Sequence, residues 1–202
     1  MKDTVYFIVI SLIMVVVAYF VAFGCEKLIE KKTHVKFSSE KTKVNKLVIM
    51  AMLSAVAVVL MYFDFPLVFL APGFYKLDFS EIPALIGAFA FGPVAGVMIE
   101  FIKIMLKLLI KGTSTAFVGD FANFVIGCSF ILPASIIYLY KKSRKSALIG
   151  SITGTLIMTV FGTAFNAVYL LPTFSVLYHM PMEDIIAMGT AINGHIDNVV
   201  SL

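Results

Sequence analysis

The sequence predicts an all-α fold, a polytopic helical bundle integral to a membrane, and three observations predict it. Its 202 residues are 60% hydrophobic and only 14% charged, with a mean hydropathy of +1.00. A soluble domain of this length cannot hide so much apolar surface, so lipid must be the main solvent. The apolar residues fall into six runs separated by short polar punctuation. The basic residues gather in two polar segments that an alternating thread of those runs brings to one side.

The runs are placed by length and punctuation, because periodicity cannot resolve wholly apolar segments. Residues 5–24 form the first, with no charge inside it. This run is long for a signal-peptide core, and no A-x-A site follows. Gly24-Cys25 resembles a lipoprotein cleavage site only faintly, since Phe23 is a poor neighbour for one. The run is therefore read as a retained membrane anchor, with a cleaved signal as the alternative. The second run, 47–63, ends at an Asp64-Phe65-Pro66 turn. The third, 80–91, is short and leads through Gly92-Pro93 into the fourth, 94–110. Runs at 117–140 and 147–171 complete the six. Past Leu171-Pro172 an outward loop is expected, and residues 193–202 read as the start of another apolar segment. The domain reading is an anchor at 1–25, a basic cytoplasmic linker at 26–46, and a membrane domain at 47–202 that the sequence does not finish.

The net charge of +4 is informative by position. Lys27, Lys31, Lys32, Lys36, Lys41, Lys43 and Lys46 lie in one linker, and Lys141, Lys142, Arg144 and Lys145 in another. Basic loops stay on the cytoplasmic side. The opposite side then carries Asp64, Asp78, Glu183, Asp184 and Asp197. Nucleic acid is the poorer reading of these lysines, and a cell membrane the better one.

Inside the fourth run stand Glu100, Lys103 and Lys107, on one face of a helix at spacings of three and seven. Ionisable residues at membrane depth are costly and line a substrate path or pair with one another. The stripe reads equally as cavity lining, with Glu100 as partner of Lys103, or as a self-neutralising set that fixes helix register. Lys107 can also snorkel to the interface. Enzymatic chemistry finds no candidate constellation. His34, His179 and His195 lack metal-ligand spacing, Cys25 and Cys128 are unsuited to a disulfide, and no phosphate-binding G-x-x-x-x-G-K-[ST] loop occurs.

The block FPLVFLAPGFYKLDFSEIPALIGAFAFGPVAGVMIEFIK (65–103), the segment GDFANF (119–124) and MTVFGTAFNAVYLLP (158–172) together resemble one family. It is the riboflavin-specific S component of energy-coupling factor (ECF) transporters, and the resemblance runs from about Lys46 to Leu202. It implies a vitamin-capturing subunit that pairs with a transmembrane coupling subunit and two ATPases. No cofactor is implied; riboflavin is the transported ligand, with FMN as a related candidate. Against the family pattern, the span at 5–24 is additional and the last family helix is not reached by Leu202. Stand-alone transport, another vitamin and an intramembrane enzyme using Glu100 or Asp120 are the competing readings.

The resemblance also assigns roles. Phe74, Tyr75, Lys76 and Leu77, beside Asp78, would form a lid over the vitamin; an interfacial belt is the alternative. Asn166 aligns with a ligand-contacting Asn, and its amide can read hydroxyls or a ring edge. Asn123, three residues after Asp120, reads as ligand contact or packing. Lys103 would project into the cavity. Ala51 and Ala55 would dock on the coupling subunit, whereas Gly92-x-x-x-Gly96 and Gly150-x-x-x-Gly154 read as internal packing.

Overall fold

The apolar runs fold as helices, and their lengths decide what each can do in a bilayer. The computed structural model describes residues 2–33, 37, 43–66, 76–113, 115, 117–178 and 181–191. In chain order the helices are α1 (Lys2–Thr33), α2 (Lys43–Tyr62), α3 (Glu81–Phe91), α4 (Pro93–Lys111), α5 (Val118–Tyr140), α6 (Arg144–Phe165), α7 (Leu171–Tyr178) and α8 (Met182–Thr190). Among the described residues, extended pairing is limited to a two-residue antiparallel ladder of β1 (Phe65–Pro66) on β2 (Lys76–Leu77). The all-α class holds.

Among the described residues, four helical stretches are long and apolar enough to cross a membrane: Val9–Thr33, Val44–Tyr62, Val118–Tyr140 and Arg144–Leu177. The α3–α4 hairpin is different. With 11 residues, α3 is about 16 Å long, roughly half of a ~30 Å hydrocarbon core. With Gly92-Pro93 at one interface, its first residue, Glu81, therefore starts near mid-depth. Helix α4 has the length to cross but carries Glu100, Lys103, Lys107 and Lys111. It is a core helix, flanked by α1, α2, α3 and α5.

Two boundaries differ from the sequence reading. Helix α1 continues past Gly24 to Thr33, because EKLIEKKT is built of good helix formers. Lys27 and Glu30 pair across one turn at 3.2 Å, and Thr33 Oγ1 donates to Ile29 O. At the other end, no loop follows Leu171. The helix passes through Pro172 to Tyr178 by widening into a π turn at Asn166–Leu170, where Leu171 N–H reaches Asn166 O. Proline cannot donate a helical N–H, and a wider turn before it absorbs the misfit. The expected apolar segment at 193–202 lies outside the described residues.

Small residues set the helix spacing. A Cβ on Gly150 would lie 2.6 Å from Ala134 O, and one on Gly154 2.7 Å from Phe130 O, so α6 rests backbone-close on α5. Gly96 likewise meets Ala88 and Ile131. Two cores result. Met50, Ala84, Ala88, Ala95, Ile99 and Ile131 join α2 to the hairpin and α5. Ala22 of α1 joins Val97, Ile104, Phe124 and Cys128 in the second, so α1 is packed into the bundle.

The Gly92-Pro93 bend is held from both sides. Gly92 adopts φ 102° and ψ 167°, a conformation essentially confined to glycine. Lys46 Nζ donates to Phe91 O at 3.0 Å, at the end of α3. Glu26 Oε2 accepts Val94 N–H at 3.2 Å, at the start of α4. Each charge matches the helix end it touches.

Candidate ligand-binding site

Lys103 and Glu81 stand equally far from Gly92 on opposite arms of the hairpin, so they meet at one level. Lys103 Nζ donates to Glu81 Oε1 at 2.9 Å and to Ser80 Oγ at 3.1 Å, and lies 2.7 Å from Glu100 Oε2. The Lys103 and Glu100 side chains are fully buried, while Glu81 is 25% exposed. Gly127 of α5 makes room for the carboxylates: a Cβ there would lie 2.7 Å from Glu100 Oε2 and 2.9 Å from Glu81 Oε2. The buried ammonium donates two hydrogen bonds, to Glu81 and Ser80, and is ion-paired with Glu100, so it bridges α3 and α4.

Glu81 is also part of a cavity wall. A cavity of about 220 Å³ is lined by Asp78, Phe79, Glu81, Ile82, Leu85, Phe130, Thr155 and Met158, from the α3 entry, α5 and α6. On its wall is an Asx-type turn in which Asp78 Oδ1 accepts Ser80 N–H at 2.7 Å. The two acids and the threonine supply polar groups on an otherwise apolar lining, the pattern of a small-molecule site. Ligand pockets usually reach about 300–1,000 Å³, so the described walls enclose room for part of a vitamin-sized molecule.

Of the expected lid, Lys76 and Leu77 form β2, paired with Pro66 and Phe65, and Asp78 reaches the cavity. Phe74 and Tyr75 lie outside the described residues.

A second polar group sits further out along α4 and α5. Lys107 pairs with Asp120 in the first turn of α5, rather than snorkelling alone. The stripe on α4 is therefore split between two sets of partners. One turn along, Asn123 is partly buried, and among the described residues its Oδ1 has no hydrogen-bond partner. The antiparallel register fixed by Gly150 and Gly154 brings Asn166, the residue that follows α6, opposite this first part of α5. Asn166 opens the π turn, a feature frequent at functional sites. Phe161, Phe165 and Tyr169 stack along the same helix, with ring centroids 5.7 and 5.1 Å apart.

Ala51 and Ala55 are exposed on α2, while Ser54 between them is buried and donates to Met50 O. Val48, Met52, Val56 and Val59 extend that apolar face. Glu81 is the site residue that sequence reasoning did not single out. Its equal spacing with Lys103 about Gly92 is the signal that could have found it.

These features define a polytopic helical membrane protein with a largely apolar cavity, carrying Asp78, Glu81 and Thr155 on its wall, between the α3 entry, α5 and α6. The family described as "ECF transporter, substrate-specific component" matches residues 45–197, and the chain belongs to that family. Riboflavin transporter FmnP of Bacillus subtilis (strain 168) is 38% identical over 151 residues, covering 74% of this chain and 79% of that protein. Riboflavin transporter RibU of Staphylococcus aureus (strain TCH60) is 41% identical over 136 residues, covering 67% and 70%. A solved structure, "Structure and mechanism of the S component of a bacterial ECF transporter", superposes with a TM-score of 0.60 at 37% identity, covering 78% of this chain and 92% of that one. These relatives are transporters, not enzymes. The family match begins near the foot of α2, so α1 precedes it.

Proposed function

We propose that this protein is the riboflavin-binding subunit of an ATP-driven vitamin uptake system and performs no chemistry on its ligand. What supports the reading is the cavity with Asp78 and Glu81 on its wall, at the end of the bundle where α5 opens with Asp120 and α6 runs into Asn166, in a chain whose relatives are named riboflavin transporters. A flavin needs flat apolar or aromatic walls plus a few groups for its hydroxyls and ring heteroatoms. In this reading Asn166 and Asn123 meet the ribityl chain or a ring edge, and the Phe161–Tyr169 stack supplies aromatic wall. Residues 74–78 close over the ligand. Lys103 contributes by orienting Glu81.

The basic segments are cytoplasmic, which puts this polar end outside, where the vitamin is captured. Ala51 and Ala55 meet a transmembrane coupling subunit, and two ATPases drive reorientation. Ligand can bias that equilibrium only by binding its two states with different affinities. Quenching of flavin fluorescence on titration with the purified protein tests capture. Saturable quenching at micromolar flavin is expected, with FMN titrated in parallel for selectivity. Absence of saturation from a folded sample removes riboflavin as the ligand.

A further inference from the structure

Two stretches far apart in sequence bring their cations to one end of the bundle. Across residues 25–46 and 141–146, eleven Lys and Arg side chains stand against three acids, Glu26, Glu30 and Glu40. The end of α1 lies beside the turn that joins α5 to α6. Lys32 Nζ sits over the Tyr140 ring at 5.2 Å, and Lys142 Nζ over the Phe37 ring at 5.9 Å, both within cation–π reach. Glu30 accepts Phe37 N–H at 2.9 Å and so holds Phe37 against α1. Lys31, Lys32, Lys141, Lys142, Arg144 and Lys145 are exposed.

The neighbours along each helix say what these cations face. On α1, Leu28 is 63% exposed, and Lys31 and Lys32 follow it by three and four residues, one turn on along the same face. On α6, Leu148 and Ile149 are 64% and 56% exposed, and Arg144 and Lys145 precede them by four residues each. Both helices therefore set lipid-facing apolar residues one turn below exposed cations. The stretch Val9–Thr33 has 25 residues, about 37 Å of helix against a ~30 Å hydrocarbon core, so its last turn reaches the headgroups. A phospholipid presents the same order, acyl chain first and phosphate above it. A zwitterionic headgroup adds an ammonium that repels lysine, whereas an anionic one keeps its negative charge for the cations.

We propose that this basic end binds anionic phospholipid headgroups, held by the cations of α1 and of the α5–α6 turn. The acyl chains lie along Leu28 on one helix and along Leu148 and Ile149 on the other. The attraction is between exposed charges, so it weakens as salt rises. The inference rests neither on the riboflavin reading nor on which leaflet holds this end.

Electron spin resonance of the full chain in phosphatidylcholine vesicles tests it, with spin-labelled phosphatidylglycerol and spin-labelled phosphatidylcholine compared for the fraction held at the protein surface. The anionic label should associate at least about fivefold better, the effect of one cation on one anionic headgroup. High salt should remove that preference in the wild type, without any substitution. Lys31→Gln with Lys32→Gln should reduce it, and so should Lys141→Gln, Lys142→Gln, Arg144→Gln and Lys145→Gln combined. Lys111→Gln, at the far end of α4, should leave it unchanged. Equal association of the two labels, a preference that survives both sets of substitutions, or equal loss with Lys111→Gln overturns the proposal. Displacement of the anionic label by inorganic phosphate at matched ionic strength would mark a site for the free anion, and overturns it as well.

Discussion

Glu26, near the end of α1, accepts the backbone N–H of Val94 at the first turn of α4, 3.2 Å away. The bond ties a helix that precedes the family match to the bend at the centre of the fold. With Lys46 on Phe91 O it forms a two-sided clamp on the α3–α4 hairpin, which carries Glu81 and Lys103 at its other end.

Removing the clamp should be measurable. Glu26→Ala deletes a helix-terminus acceptor of a kind worth about 0.5–2 kcal/mol. Thermal unfolding in detergent should show a lower midpoint for Glu26→Ala than for Glu26→Gln, whose amide oxygen can still accept. An unchanged midpoint in both would mean that α1 is held by apolar packing alone.

The α5–α6 contact makes a sharper prediction, because a backbone carbonyl cannot swing aside. Gly150→Ala puts a methyl 2.6 Å from Ala134 O and must push the helices apart. Overpacking of this kind costs about 1–3 kcal/mol, and flavin affinity should fall with it, since α5 and α6 carry Asn123 and Asn166. Gly24→Ala is the control, with nothing within 4 Å of the added methyl. Equal stability of the two variants would refute the close contact.

Lys103 should behave as the keystone of buried charge. Lys103→Met leaves two facing carboxyls without their cation, and breaking a buried ion pair typically costs about 3–5 kcal/mol. Combining it with Glu100→Gln removes much of that uncompensated charge, so the double variant should be more stable than Lys103→Met alone. Strict additivity of the two single effects in a thermal-unfolding cycle would show that the residues do not interact.

The two asparagines separate ligand contact from packing. Asn123→Leu removes a buried carbonyl oxygen that lacks a partner among the described residues, so stability should hold or rise. Riboflavin affinity should nonetheless drop about tenfold, the equivalent of one hydrogen bond of ~1.4 kcal/mol. Asn166→Ala should lose a similar factor. Unchanged flavin titrations would reassign both to interhelical packing.

What the sequence made legible follows from the range of each signal. Glu100 and Lys103 are paired through helical spacing, which is local and readable. Glu81 is equally local in space but lies 22 residues from Lys103 in sequence, visible only once Gly92-Pro93 is taken as a symmetric bend. Pro172 signals a helix end on propensity alone, yet the π turn at Asn166 carries the helix through it. The polar stretch after Gly24 reads as linker because its charges dominate its composition. Its i,i+3 pairing of Lys27 and Glu30 marks helix instead.

Ala51 and Ala55 test the proposed partner. Both are exposed on α2, on a face that also shows Val48, Met52, Val56 and Val59 and makes no use of their small size within the bundle. Small residues matter where another helix backbone must come close. If the coupling subunit supplies that backbone, Ala51→Leu with Ala55→Leu should leave riboflavin titration of the isolated protein unchanged. Uptake by vesicles containing the coupling subunit and ATPases should fall at least about tenfold, a docking loss of ~1.4 kcal/mol. Uptake at full rate would free α2 of this role. Weakened flavin binding by the isolated variant would instead mean that the strip packs within the protein, because a lipid-facing leucine on α2 has no other route to the cavity.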